Sequence, residues 1–181
     1  MSQGPPRDHR ALMEQALGQA RLSPPKPSNY RVGAVLVDAS TGSVLATGFS
    51  LELPGNTHAE QCCFIKLAQQ HGVAEEALVD ALQQQQPTPR LALYTTMEPC
   101  SERLSGNLPC VQRILRLRGL IAEVYVGVVE PKKFVANNTG RQTLEDAGIR
   151  VIHVGGYEED ILGVATAGHA PAEAPVAGGS G

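Results

Sequence analysis

The sequence predicts an α/β fold, a three-layer α/β/α sandwich around a mixed five-stranded sheet. Two observations carry this. "RVGAVLVD" (31–38) and "SVLATGF" (43–49) are apolar, Val-rich runs separated by the turn-forming "ASTG" (39–42), which together read as a hairpin. From there on helical and strand-like segments alternate, the pattern of later strands joined by right-handed helical crossovers with helices on both faces of the sheet.

Asp8 is placed to cap a first helix, in which Leu12, Met13, Ala16, Leu17 and Ala20 recur at the helical period. Ser23-Pro24-Pro25-Lys26-Pro27 ends it. After the hairpin and the loop "LELPGN", a helix over about 58–71 is apolar nearly all round, so it is expected to be largely buried. A shorter helix near 75–84 runs into "QQQQPTPR", a surface loop. "LALYTT" (91–96) is a strand that delivers the chain to Pro99-Cys100. A helix from Cys110 to about Arg118, a strand at 121–129, a helix at 139–148 closed by Gly148, a fifth strand at 149–154 and a helix at 156–164 follow. Residues 165–181 are almost entirely Ala, Gly and Pro and are expected to be disordered, so the domain is set at 1–164 and the tail at 165–181.

Composition narrows the function. The 181 residues fit one domain, with 42 % apolar content, no Trp, a net charge of −3 and a pI near 5.9. An acidic, aromatic-poor chain offers neither a basic surface nor a stacking platform, so a nucleic-acid partner is not expected. No apolar run approaches the roughly 18 residues of a membrane span, and the polar N-terminus lacks a signal-peptide core. Cytoplasm, or cytoplasm and nucleus, is the expected compartment, and a homodimer the expected assembly. Four cysteines in a reducing compartment point to metal or chemistry rather than disulfides.

"THAEQCC" (57–63) and "MEPCSERLSGNLPC" (97–110) hold the chemistry. His58 lies where a loop enters a helix, and Cys100 and Cys110 flank a second helix entrance. One imidazole and two thiolates make a neutral zinc site with a fourth position open, the arrangement of a catalytic zinc. Glu60, two residues from His58, is too close to be a second ligand on the same helical face. A carboxylate there suits proton transfer from an activated water to a leaving group. His-x-Glu followed by Pro-Cys and a second Cys is the signature of zinc-dependent nucleobase deaminases, with Glu as shuttle.

These motifs, "HAE" with "TMEPCS", resemble the cytidine deaminase-like superfamily. Its nucleotide members usually have two residues between the cysteines, whereas nine stand here, which resembles the riboflavin-pathway deaminases. "NYRVGAVLV" and "EPKKFVANNTGRQTLEDAGIRV" are similar to stretches of the bacterial deaminase–reductase enzymes, over roughly residues 29–154. The longer gap and "ELPGNTHAE" look like the fungal branch. The resemblance implies Zn2+ on His58, Cys100 and Cys110, with Glu60 as the catalytic shuttle. It implies as substrate a phosphorylated pyrimidine, 2,5-diamino-6-ribitylamino-4(3H)-pyrimidinone 5′-phosphate. Asn29 matches the asparagine that contacts the pyrimidine. Glu52, Asn56 and Ala59 around the histidine, Ser101, Arg103 and Asn107 between the cysteines, and Lys132 are the remaining substrate-binding candidates. No reductase-like or pseudouridine-synthase-like stretch is recognised, so a stand-alone deaminase is expected. Two alternatives stay open: another nucleotide, nucleobase or tRNA deaminase of the superfamily, and a non-catalytic zinc-stabilised module.

Other titratable residues have plainer readings. Cys62 and Cys63 sit on the apolar helix and read as packing residues. His71 ends that helix, favoured there by the dipole, and His153 alternates within a strand. His169 is assigned no role. Arg113, Arg116 and Arg118 read as a solvated helix face, and Lys132-Lys133 as a loop beyond a strand's C-terminal end, where α/β folds place ligands.

Overall fold

A computed structural model describes residues 6–129 and 139–170. Lys132 and Lys133 therefore lie outside the described residues, as do residues 171–181 of the expected tail. The sheet is mixed and five-stranded, in the order β2-β1-β3-β4-β5. Strand β1 (Gly33–Asp38) pairs antiparallel with both β2 (Val44–Phe49) and β3 (Leu91–Met97). Strands β3, β4 (Ile121–Val128) and β5 (Arg150–His153) run parallel, connected through α4 (Cys110–Arg116) and α5 (Gly140–Asp146).

The period-2 alternation of the central strands sorts the core into two layers. Ala34, Leu36, Leu93, Val124 and Val126 face α2 (Ala59–Gln70), α3 (Leu78–Gln83), α4 and α5. Val35, Val37, Ala92, Tyr94 and Tyr125 face α1 (His9–Leu22) and α6 (Glu158–Ala165). Three layers result, as expected. Asp8 caps α1 by accepting from the Ala11 amide at 3.0 Å, and Met13, Ala16, Leu17 and Ala20 form its buried stripe.

Element ends moved by a residue or two, and α3 is preceded by a 3₁₀ turn, Glu75–Ala77. Two expectations need correction. Arg113 is not on a solvated face: its side chain is 10 % exposed and pairs with Glu75, while Nε donates to Leu108 O at 3.3 Å. Arg116 and Arg118 are exposed. Nor does packing stop at residue 164. Ala165 is fully buried and accepts through its carbonyl from the Arg31 amide at 3.2 Å, and His169 contacts Asn29 and Tyr30.

The first turn of α2 lies hard against β2. A Cβ on Gly48 would stand 2.3 Å from Ala59 O and 3.1 Å from Cys63 N, so only glycine admits this approach. Gly33 serves α1 in the same way, since its Cβ would stand 1.9 Å from Ala16 O. Substituting either by alanine is expected to lower stability by about 1–3 kcal/mol, the usual cost of overpacking. Gly48→Ala should also lower zinc content, because it displaces the turn that carries His58, whereas Gly33→Ala should retain zinc at the temperatures where it remains folded. Denaturant midpoints and metal analysis check this. Equal zinc in the two folded variants would count against the link between Gly48 and the site.

Candidate active site

His58 is the N-cap of α2, with extended backbone (φ −91°, ψ 160°), and the helix proper starts at Ala59. The preceding loop is tied by Thr57: its carbonyl accepts from the Leu51 amide at 2.8 Å, and its hydroxyl bridges the Leu53 backbone. Leu51 sits at φ 64°, a left-handed conformation costing a non-glycine residue about 1–2 kcal/mol. This strain lies in the wall of a cavity of about 830 Å³. Gln61 caps the helix from within, its Oε1 accepting from the His58 amide at 3.3 Å and from Arg103 Nη1 at 3.1 Å.

Beyond β3 the chain passes Pro99-Cys100 and re-enters helix at Cys110, the first residue of α4. The two cysteines are drawn together by backbone: Val111 N–H donates to Cys100 O (3.1 Å), and Cys110 N–H points at Cys100 Sγ (3.3 Å). His58 Nδ1 lies 3.5 Å from both sulfurs, and donor atoms of all three residues fall within 4.8 Å of one another. The spacing of nine residues in sequence is thus bridged in space. The Cys110 side chain, followed by His58 and the Cys110 amide, holds the Cys100 thiol down at about 4. Its neighbour moves the other way, since the Cys100 sulfur and burial push Cys110 well above the usual thiol range. One imidazole nitrogen and two sulfurs, one already favoured as thiolate, are a donor set that fits zinc.

Glu60 is 3 % exposed, and both its oxygens face this cluster's surroundings. Oε2 lies 3.4 Å from Cys110 Sγ and Oε1 lies 3.3 Å from Thr95 Oγ1. Burial raises its pKa above the ordinary carboxylate value, with His58 opposing and Cys100 adding. A carboxyl poised in this way can accept a proton and give it back.

His58, Glu60 and Cys100 open onto a cavity of about 830 Å³. Asn29, Asn56 and Arg103 line it, as the sequence suggested. Other expected residues do not line it. Glu52 points elsewhere, one oxygen on Lys66 Nζ at 2.7 Å and the other accepting from the Phe49 amide at 3.3 Å. Ala59 is fully buried in the core beneath α2. Ser101 and Asn107 belong to the inter-cysteine loop but are not among the lining residues, because that loop presents Glu102, Arg103, Leu104 and Ser105 to the cavity. Arg103 is committed in part, its Nη2 donating to Asn56 O. Lys26, Ser28, Tyr30 and Glu98 line the cavity and were not anticipated. Glu98 was legible, being adjacent to Pro99-Cys100, whereas Lys26 and Ser28 lie in a Pro-rich turn without a motif. Cys62 and Cys63 are buried packing residues, their sulfurs toward Phe49 O and Ala46 O, and burial raises both thiols.

Residues 6–128 match the family described as the cytidine and deoxycytidylate deaminase zinc-binding region. The chain belongs to that family. The match runs from just before α1 to the end of β4 and so includes His58, Glu60, Cys100 and Cys110. Zinc is accordingly the metal of this domain. The diaminohydroxyphosphoribosylamino-pyrimidine deaminase of Schizosaccharomyces pombe is 36 % identical over 166 residues, 92 % of this chain. The chain spans about 37 % of the length of that curated relative. The Rib2 deaminase of Aspergillus oryzae, a C-terminal deletion mutant at pH 4.6, superposes with a TM-score of 0.80 at 45 % identity, covering 89 % of this chain and 92 % of that one. The same protein in complex with DARIPP gives 0.79 at 44 %, covering 89 % and 91 %. RibD of Acinetobacter baumannii shares the fold at 22 % identity, TM-score 0.62, over 88 % of this chain and 38 % of that one. The fold is cytidine deaminase-like.

Gln61 joins the His58 turn to the inter-cysteine loop. Gln61→Ala is expected to cost about 0.5–2 kcal/mol, as for loss of a helix cap, and to speed zinc loss to a chelator. Gln61→Glu, which keeps an acceptor for His58 N–H and Arg103, should behave nearly as wild type. Identical chelator kinetics in wild type and Gln61→Ala would remove Gln61 from this role.

Proposed function

We propose that this chain deaminates 2,5-diamino-6-ribitylamino-4(3H)-pyrimidinone 5′-phosphate, releasing ammonia and 5-amino-6-ribitylaminouracil 5′-phosphate, a step of riboflavin biosynthesis. The observation that carries the reading is a buried carboxylate 3.4 Å from one sulfur of a His–Cys–Cys cluster that opens onto a substrate-sized cavity. The DARIPP complex of the 44 %-identical Aspergillus oryzae protein supports the substrate.

His58, Cys100 and Cys110 would hold the zinc, which when bound supplies the Lewis acidity that lowers the pKa of a water. Glu60 takes the proton from the attacking water and passes it to the ring nitrogen. It then takes the second proton, from the hydroxyl newly bonded to the ring carbon, and delivers it to the exocyclic amine, so that the carbon–nitrogen bond breaks, ammonia leaves and the ring carbon becomes a carbonyl. Thr95 Oγ1 lies 3.0 Å from Met97 O and 3.3 Å from Glu60 Oε1. Its one hydroxyl proton can satisfy the carbonyl and leave the oxygen to accept from protonated Glu60. Asn29 and Asn56 are assigned to the pyrimidine and its substituents, and Arg103 with Lys132 to the phosphate.

The proposal extends to a cytoplasmic or nuclear homodimer that handles a small molecule and no nucleic acid. Four free cysteines support a reducing compartment, and the net charge of −3 supports the ligand class. Among the described residues no helix is long and apolar enough to cross a membrane. Light scattering decides between one chain and two.

Glu60→Gln is expected to keep fold and zinc and to lose at least about 10²–10⁴-fold in turnover, the usual share of one general acid/base. Ammonia release with the substrate named above measures it, and a rate within tenfold of wild type would mean that another group moves the proton. The phosphorylated pyrimidine should be preferred over its dephosphorylated form about ten- to a hundredfold in kcat/KM, the worth of a charge-assisted hydrogen bond of roughly 1.5–3 kcal/mol. Arg103→Ala should erode that preference. Equal turnover with and without phosphate would refute phosphate recognition.

A further inference from the structure

One wall of the cavity is built by a Pro-rich turn that supplies Lys26, Ser28, Asn29 and Tyr30. The turn closes on itself through a bridge between Lys26 and Asn29 and the Asn29 Nδ2–Tyr30 O hydrogen bond. Its base is braced by Arg31, whose guanidinium donates to Ser23 O and Arg21 O. Its tip is braced from the other end of the chain. The last residue of α6 and those just after it, 165–169, reach the turn at four points. The Arg31 amide donates to Ala165 O at 3.2 Å. Gly168 packs so closely that a Cβ would stand 2.3 Å from Lys26 N and 2.7 Å from Pro25 C. His169 Nε2 lies 3.0 Å from Asn29 O, and because a carbonyl only accepts, Nε2 carries the proton. The His169 ring also meets Tyr30 edge to face, centroids 4.9 Å apart.

We infer that His169 is a positioning residue of the substrate site, which through Asn29 O and the Tyr30 ring fixes the wall formed by residues 26–30. This rests on the reading of the cavity as the pyrimidine site. Asn29 and Tyr30 are half-buried or exposed, so their conformation is not set by the core. Docking of the segment at Gly168 brings His169 to them, and the imidazole then fixes the backbone of one and the ring of the other. His169 itself does not line the cavity, and its contacts are with Asn29 and Tyr30 rather than with His58, Glu60, Cys100 or Cys110. Losing His169 should therefore weaken substrate binding while sparing the chemical step.

The test uses the full chain with His169→Ala, His169→Gln and Gly168→Ala, each checked for zinc content. With the ribitylaminopyrimidine phosphate as substrate, His169→Ala and Gly168→Ala are expected to raise KM about three- to tenfold, the range of one lost neutral hydrogen bond. Values of kcat should stay within about twofold. His169→Gln, whose amide can donate to Asn29 O, should recover most of the loss. Hydrogen exchange of the wild type and His169→Ala without substrate gives a second readout, with faster exchange of the Asn29 and Arg31 amides expected in the variant. Unchanged KM and unchanged exchange in His169→Ala would overturn the inference, as would a parallel fall of kcat with zinc loss. Failure of the wild type to turn over the pyrimidine would sink the proposed function instead, and the exchange experiment would still judge the wall's dependence on His169.

Discussion

The close approach of α2 to the edge of the sheet governs everything else in the site. Gly48 has no side chain, and the residues that α2 presents to it are small: Ala59, Cys62 and Cys63. Their sulfurs stay near strand carbonyls, at 3.6 Å from Phe49 O and 3.9 Å from Ala46 O. A helix is rigid over a single turn, so fixing Ala59 against β2 also fixes its neighbours. Glu60 is turned under β3 toward Thr95, and His58, still in extended backbone, faces the loop that brings Cys100 and Cys110. Residues two apart would diverge by about 200° inside a regular helix. The cap position is what lets His58 and Glu60 share one cavity.

Electrostatics then explains why the cluster suits a divalent cation. Glu60, Cys100 and Cys110 are three acidic groups gathered around one imidazole in a poorly solvated place. Their mutual influence and burial push Glu60 and Cys110 toward their protonated forms, and only Cys100 is favoured as an anion. A dication on the two sulfurs and the imidazole inverts this local logic, because it stabilises both thiolates and balances their charge. The carboxylate lies beside the sulfurs rather than among the three ligands, so it remains free to exchange protons. Position and charge together separate the proposed ligands from the proposed proton shuttle.

The residues whose chemistry admits few substitutes were the legible ones. A zinc site needs nitrogen or sulfur donors, and His58 and Cys110 stand at the starts of helices and Cys100 just past the end of a strand, elements whose periodicity the sequence displays. The sheet was legible for a similar reason, since β1 and β3 are apolar on both faces, α1 carries a clear stripe and α2 is apolar nearly all round. Substrate-facing residues obey no such rule. Glu52 and Ser101 are polar and close to motifs, yet one is spent on Lys66 and a strand amide and the other is not among the residues that line the cavity. Arg113 read as solvated because its partner, Glu75, is 38 residues away and belongs to another helix. His169 read as idle because Ala- and Gly-rich sequence carries no packing pattern, while its actual contacts lie 140 residues earlier.

The two faces of the sheet also divide the labour of the site. The metal cluster and Glu60 belong to the layer of α2 and α4, whose core is continuous from Ala59 through Ile114 to Leu144. The wall of Lys26–Tyr30 follows α1 and is backed by the segment after α6, so it belongs to the opposite layer. The cavity is closed where these layers meet beyond the ends of β1 and β3, with the inter-cysteine loop contributing Arg103 and the fully exposed Leu104. His58, Glu60 and Cys110 are thus held at the starts of packed helices, while the wall of Lys26–Tyr30 is held by turns and a few hydrogen bonds. The wall of Lys26–Tyr30 and the donor set are anchored to different layers, while Arg103, through Gln61 and Asn56, ties the rest of the cavity to the layer of α2.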